Sequence, residues 1–256
     1  MPQMNRRSFT HAPRLTVTPF TATNHSHRKT MSDAAHQPRQ LILASRSPRR
    51  QELLRHAGYV FDIDPADVDE DNYTPGILPA DLARHLAKIK AEAITPRHPE
   101  GVVLGADTVV AFGDEILGKP ADEEDARRML LLLSGTTHIV VTGVSVISRS
   151  TGFERHDRVL SCVRMNILKP HEIAAYIATG DWRGKAGGYG IQDNDPFVTR
   201  MAGDHTNIVG LPMSLVSEML AEAGIFPRDT PLSESPPADK PFEPRPASIE
   251  DIRMQF

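Results

Sequence analysis

The sequence predicts an α/β fold built on a mixed sheet. Short apolar runs such as QLILAS (Gln40 to Ser45) and a longer β-branched run, VVLGADTVVAF, read as strands. Segments with apolar residues three and four apart read as helices between them. The two kinds alternate without a fixed repeat, which is the pattern of strands covered by helices rather than of a bundle or a solenoid.

In chain order, Gln40 to Ser45 has the length and composition of a buried strand. Ser47-Pro48 then reads as N-cap and first helical residue, opening a helix to about Ala57, with Gly58 as its stop. Tyr59 to Ile63 suits a second strand. In Pro79 to Ile94 the apolar residues Leu82, Leu86, Ile89 and Ala93 recur at helical spacing. Gly101 to Leu117 reads as a strand or a hairpin turning at Gly113-Asp114. Asp122 to Leu133 carries acids in its first turn and Ser134-Gly135 after its end, as a helix dipole favours. His138 to Ile147 and Arg158 to Leu168 are predicted strands, and Pro170 to Thr179 a helix stopped by Gly180. A Gly-rich loop, Asp181 to Gly190, leads through strand-like pieces to a last helix from about Pro212 to Ala223.

The 256 residues allow one large or two small domains, and 39% hydrophobic with 24% charged residues supports a packed core. A net charge of -4 argues against a protein that coats nucleic acid, so an anionic ligand needs a local cluster of Arg and Lys. Cys162 is the single cysteine, which excludes a disulfide framework and a Cys-based zinc site and fits a reducing, cytoplasmic setting. It lies in an apolar run and reads as a small buried hydrophobe. No apolar stretch approaches the ~20 residues of a membrane helix.

The ends differ from the middle. Residues 1–30 hold Arg6, Arg7, Arg14, Arg28 and Lys29 but no acid. That is transit-peptide composition; the simpler reading is that Met31 is the start and the residues before it are disordered or mis-called. Seven of the 21 prolines fall in residues 227–256, a composition that predicts a disordered tail. The expected organisation is an extension over 1–37, a folded unit over 38–226 and a Pro-rich tail over 227–256.

Four motifs and an acidic cluster could carry chemistry. SRSPRR (Ser45 to Arg50) opens a helix with Arg49 and Arg50 where the positive helix end favours acids, a cost of roughly a few tenths of a kcal/mol each. A bound polyphosphate reverses that sign, receiving backbone N–H groups, a Ser45 or Ser47 hydroxyl and guanidinium contacts together. The alternative is a solvated basic face. GADT (Gly105 to Thr108) places Asp107 inside an apolar strand, where a carboxylate is costly unless paired. Asp107 is therefore a candidate metal ligand or general base, against a structural role in capping a bend.

Gly113 to Lys119 fits the opening of a phosphate-binding loop, but Pro120 lacks the hydroxyl and the N–H that motif needs. A P-loop enzyme is thereby rejected, while Lys119 remains a phosphate cation or a plain surface lysine. The loop Arg183 to Gln192 permits close backbone approach to a ligand, with Lys185 adding charge and Gln192 able to read a base edge. Asp67, Asp69, Glu70 and Asp71 form an acidic cluster, either solvated or contributing Glu70 or Asp69 to a metal beside Asp107.

Taken in order, LILASRSPRRQELL (Leu41 to Leu54), DVDE (Asp67 to Glu70), LAKIKA (Leu86 to Ala91), LGADTVV (Leu104 to Val110), LGKPADEEDARRML (Leu117 to Leu130), LSGTTHIVVTGV (Leu133 to Val144), KAGGYGIQ (Lys185 to Gln192) and NIVGLPM (Asn207 to Met213) resemble the Maf family of nucleoside triphosphate pyrophosphatases. The resemblance implies a bilobed fold similar to inosine triphosphatase proteins, with the active site in a cleft between lobes. It implies hydrolysis of a nucleoside triphosphate to monophosphate and pyrophosphate assisted by a divalent metal; the carboxylates themselves point to Mg²⁺ or Mn²⁺ held by Asp107 and Glu70. Asp107 falls at the family's proton acceptor, and Ser45, Arg50, Lys90, Lys119 and Lys185 where it holds phosphates. Arg49, Thr108 and Gln192 match the branch resembling dTTP/UTP pyrophosphatases rather than the 7-methyl-GTP branch. A homodimer is what the family suggests, and a nucleotide-binding regulator of septum formation is the rival without turnover. Arg46 departs from the small residue relatives often have.

Overall fold

The computed structural model describes residues 39–191 and 197–228. Its strands are β1 (Leu41–Leu43), β2 (Phe61–Ile63), β3 (Val102–Phe112), β4 (Glu115–Leu117), β5 (Thr137–Ser148), β6 (Phe153–Met165) and β7 (Val198–Ala202). Its helices are α1 (Pro48–His56), α2 (Pro79–Ile94), α3 (Glu123–Leu133), α4 (Pro170–Thr179), α5 (His205–Val209) and α6 (Met213–Glu222). The strands form one sheet in the order β2-β1-β3-β5-β6-β7, with β4 folded back on β3. β1 runs parallel to β2 and β3, and the other pairings are antiparallel, so the sheet is mixed as predicted.

β3 organises the molecule. Its start, Val102 to Leu104, pairs with β1, and its end, Val110 to Phe112, with β4. Among the described residues no strand pairs with the stretch between them on that edge. Asp107 and Thr108 lie in this opening, opposite Gly143 and Thr142 of β5.

Side chains alternate across a strand, so neighbours on β3 serve different cores. On one face, Leu104 and Ala106 join Val144 in a core completed by Leu54 of α1 and Val216, Met219 and Leu220 of α6. Further along the same face, Val110 and Val140 join a second core with Leu130 of α3 and Ile173 and Ile177 of α4. Thr108 on β3 and Thr142 on β5 fall between the two. The expected bilobed shape is thus a seam in one sheet face, marked by a pair of threonines.

The other face is covered by α2. A Cβ at Gly105 would fall inside van der Waals distance of the Ala87 carbonyl, and one at Gly143 would meet that of Ala83. These two glycines and the alanines Ala83, Ala87 and Ala91 let the helix lie directly on the sheet, and Leu82, Leu86 and Lys90 follow at four-residue intervals along its buried stripe.

Two elements differ from the sequence reading. β6 begins at Phe153, five residues before the predicted strand, because its first half pairs with β5 through the turn at Arg149 to Gly152 while its polar FERHD segment stays partly exposed. Polar residues on a half-covered strand leave no apolar run to read. The short helix α5 was not predicted either; Asp204 caps it by accepting from Thr206 N at 2.7 Å. Cys162 is only half-buried, and burial pushes its thiol pKa up, which leaves it unsuited to act as a thiolate. Among the described residues no helix is long and apolar enough to cross a membrane.

Candidate active site

A cavity of about 590 Å³ opens at the seam. α1 enters it from β1. Ser47 caps that helix, accepting from Arg50 N at 3.5 Å, and Pro48 occupies the first turn, which holds no acid. The cap turns the Arg50 side chain inward across the seam. Its guanidinium donates from Nε to the Gly210 carbonyl at 2.8 Å, from Nη1 to Ser45 Oγ at 3.1 Å and from Nη2 to Thr108 Oγ1 at 3.1 Å. Both terminal nitrogens keep a further N–H for an anion. Burial lowers the Arg50 pKa and the Asp107 carboxylate opposes that shift.

The seam is braced from behind. Thr108 Oγ1 and Thr142 Oγ1 lie 2.9 Å apart, and Thr142 Oγ1 donates to the Asn207 carbonyl at 2.9 Å. Asn207 is fully buried. Its carboxamide accepts from Thr142 N and donates to Val140 O and Ser161 Oγ, which pins α5 to the sheet. Gly210 follows at φ 118, in the left-handed region, and presents its carbonyl to Arg50.

Round the open edge of β3 the chemistry is ionic. Lys90 Nζ, on α2, lies 2.5 Å from Asp107 Oδ1 and 2.9 Å from Glu70 Oε1. The other Glu70 oxygen receives Lys119 Nζ at 2.9 Å. Asp107 and Lys90 are buried, whereas Lys119 is more than half exposed, so the chain of charges runs from the interior to the mouth. Burial acts to raise the Glu70 pKa, but the hydrogen bonds and charges of Lys90 and Lys119 together outweigh it and hold the carboxyl down at about 2.

The far wall is the Gly-rich loop. Gly187 N donates to the Gly118 carbonyl at 3.0 Å, which joins this loop to the GKP segment. Arg49 Nη2 reaches the Gly184 carbonyl at 3.5 Å, and Arg183 stacks on Trp182 at 4.6 Å. Tyr189 is anchored by its hydroxyl, 2.5 Å from His138 Nε2. Burial pushes the His138 pKa down to about 4, so the ring is neutral near pH 7, and its Nδ1 has no hydrogen-bond partner among the described residues.

Ser45, Arg49, Arg50, Glu70, Lys90, Asp107, Thr108, Lys119 and Lys185 therefore line one cavity, joined by Arg46. Of the acidic cluster, Glu70 alone is among the lining residues. Gln192 lies outside the described residues. Gly113-Asp114 forms the turn between β3 and β4 rather than a loop before a helix, in keeping with rejection of a P-loop. Reading single motifs missed Thr142, Asn207 and Tyr189; for Thr142 the signal available was a polar residue inside an apolar run, IVVTGV.

A family model described as Maf-like protein matches residues 40–223. The chain belongs to the Maf family. The dTTP/UTP pyrophosphatase of Koribacter versatilis is 45% identical over 187 residues, covering 73% of this Maf chain and 95% of that protein. That of Geobacter sulfurreducens is 45% identical over 186 residues, 72% of this chain and 97% of that one. Among solved structures, the Staphylococcus aureus Ham1 protein is 13% identical at a TM-score of 0.36, over 50% of this chain and 72% of that chain.

Proposed function

We propose that this Maf protein is a nucleoside triphosphate pyrophosphatase that hydrolyses dTTP and UTP to the monophosphate and pyrophosphate. The observation carrying this reading is that Arg50, Lys90, Lys119 and Lys185 line one cavity with a strand-embedded carboxylate, Asp107, which Lys90 pairs directly. The relatives named dTTP/UTP pyrophosphatase support the substrate class. Ser45 and Arg50 hold phosphate at the start of α1, where the helix end adds positive potential. Lys90, Lys119 and Lys185 neutralise charge that develops as the anhydride breaks. Asp107 orients the attacking water and accepts its proton. Arg49 and Thr108, with Gln192, choose the base.

Asp107 and Glu70 are hard oxygen donors that both converge on the Lys90 ammonium, and no third His, Cys, Asp or Glu joins them among the described residues. That donor set fits Mg²⁺ or Mn²⁺, which take one or two carboxylates and complete their shell with substrate phosphates and water. When bound, the ion polarises phosphate oxygens. We place the enzyme in the cytoplasm as a homodimer, with its catalytic unit over about residues 38–226.

The test is pyrophosphate release from dTTP, UTP, CTP and 7-methyl-GTP by the purified full-length chain. Turnover of dTTP and UTP well above the other two is expected. Preference for 7-methyl-GTP overturns the substrate reading, and binding without release leaves a nucleotide-binding regulator.

A further inference from the structure

The two carboxylates suited to a divalent cation are already occupied. Lys90 Nζ sits between Asp107 Oδ1 and Glu70 Oε1, and Lys119 holds the remaining Glu70 oxygen. Two ammonium groups and two carboxylates make the cluster neutral as it stands. A divalent cation that bridges Asp107 and Glu70 at the point where Lys90 now sits must push Lys90 aside. The displaced ammonium then has no favourable place to go, because the other charged residues lining the cavity, Arg46, Arg49, Arg50, Lys119, Arg183 and Lys185, are all basic. Like charges at close range in a partly desolvated site repel strongly.

A triphosphate supplies the missing anion. Its oxygens can accept Lys90 and Lys119, which frees Asp107 and Glu70 at the moment the cation gains phosphate ligands as well. We infer that Lys90 is an exchangeable occupant of the cation place between Asp107 and Glu70, so that the divalent ion enters with the nucleotide and not before it. This inference rests on the pyrophosphatase reading above. It adds an order of binding, with Lys90 as the residue that enforces it: a counter-ion for carboxylates in the free enzyme and for phosphate in the complex.

Mn²⁺ uptake by the full-length protein, followed by the paramagnetic resonance signal of the free ion, tests this directly. The titration is run alone and with α,β-imido-dTTP, subtracting Mn²⁺ bound by the analogue itself. Wild-type protein is expected to bind Mn²⁺ about tenfold or more tightly with the analogue than without it. Lys90→Met lifts the block: the nucleotide-free variant gains about tenfold or more in Mn²⁺ affinity over wild type, and it binds the analogue more weakly in EDTA. Adding Asp107→Asn to Lys90→Met removes the gain. Lys90→Gln replaces the Met variant should that fail to fold by circular dichroism.

Wild-type protein that binds Mn²⁺ equally well with and without the analogue overturns the inference. So does a folded Lys90 variant with no gain. Pyrophosphate release by wild type, measured in parallel, keeps the two claims apart. No release sinks the pyrophosphatase reading, whereas normal release with nucleotide-independent Mn²⁺ binding sinks only the exchange.

Discussion

Asp107 and Thr108 are consecutive, yet they face opposite sides of the sheet and belong to two different kinds of construction. Thr108 belongs to a web of neutral and charge-assisted hydrogen bonds: Arg50 to Gly210, Ser45 and Thr108, then Thr142 and Asn207 behind. Gly210 takes part through its backbone, and Thr142 and Asn207 are completely buried. Asp107 belongs to a row of ion pairs, Lys90, Glu70 and Lys119, that reaches the surface. A hydrogen-bond web of this kind holds a shape, because any slip leaves a buried group unpaired. The row of ion pairs is loose at its exposed end, at Lys119, whereas the buried Lys90–Asp107 pair gives way only when another anion takes the carboxylate's place. The first side suits fixed grip, and the second suits exchange of counter-ions during turnover.

Asp107→Asn should separate the two most sharply. It keeps the size of the side chain and removes the proton acceptor, so kcat for pyrophosphate release is expected to fall by about 10²–10⁴-fold while the circular dichroism spectrum stays native. Near-normal release by this variant would refute the role given to Asp107. On the other side, Arg50→Lys keeps the charge and loses the forked contacts to Ser45, Thr108 and Gly210. A loss of about 10²-fold in kcat/KM is expected, since a point charge cannot reproduce that grip. Retained kcat/KM would show that charge alone suffices at the seam.

The acid response tests the hydrogen-bonded wall further out. His138, held down at about 4 from an ordinary 6.5, takes up a proton more readily in the unfolded chain than in the folded one. Acid therefore favours unfolding: the loss of stability starts as pH falls below about 6.5 and levels off near 4, amounting to about 3 kcal/mol. His138→Gln should flatten that window in urea titrations; an unchanged slope would show that other groups set it. The smallest effect expected is Thr142→Val, a loss of about 1–3 kcal/mol in urea unfolding from its missing bonds to the Asn207 carbonyl and Thr108 Oγ1.

Much of this was readable from local pattern. SRSPRR and GADT each hold residues placed against their local preference, and such conflicts mark sites. The mixed sheet followed from alternation alone. What was not readable is how the pieces close on one another. Asn207 looks like the last residue of a polar stretch, Asp204 to Asn207, and its work is done across sixty-five residues, at Thr142. Lys90 entered only by resemblance, although a residue-level signal existed: a lysine on the buried stripe that begins at Leu82 and Leu86. A charge on that stripe needs a buried partner, and Asp107 is the partner. The early start of β6 was hidden because pairing, not apolar content, makes that half a strand.

The contact of α2 with the sheet has a consequence for how this protein can change over time. Helix and strands touch only because Gly105 and Gly143 carry no side chain, so the gap between them works as a gauge for the Lys90–Asp107 distance. A single methyl group added at Gly105 would lift the helix and widen that distance without touching any ligand. Substitutions there are expected to cost folding stability as well as chemistry, because the added carbon meets helix backbone that cannot yield cheaply.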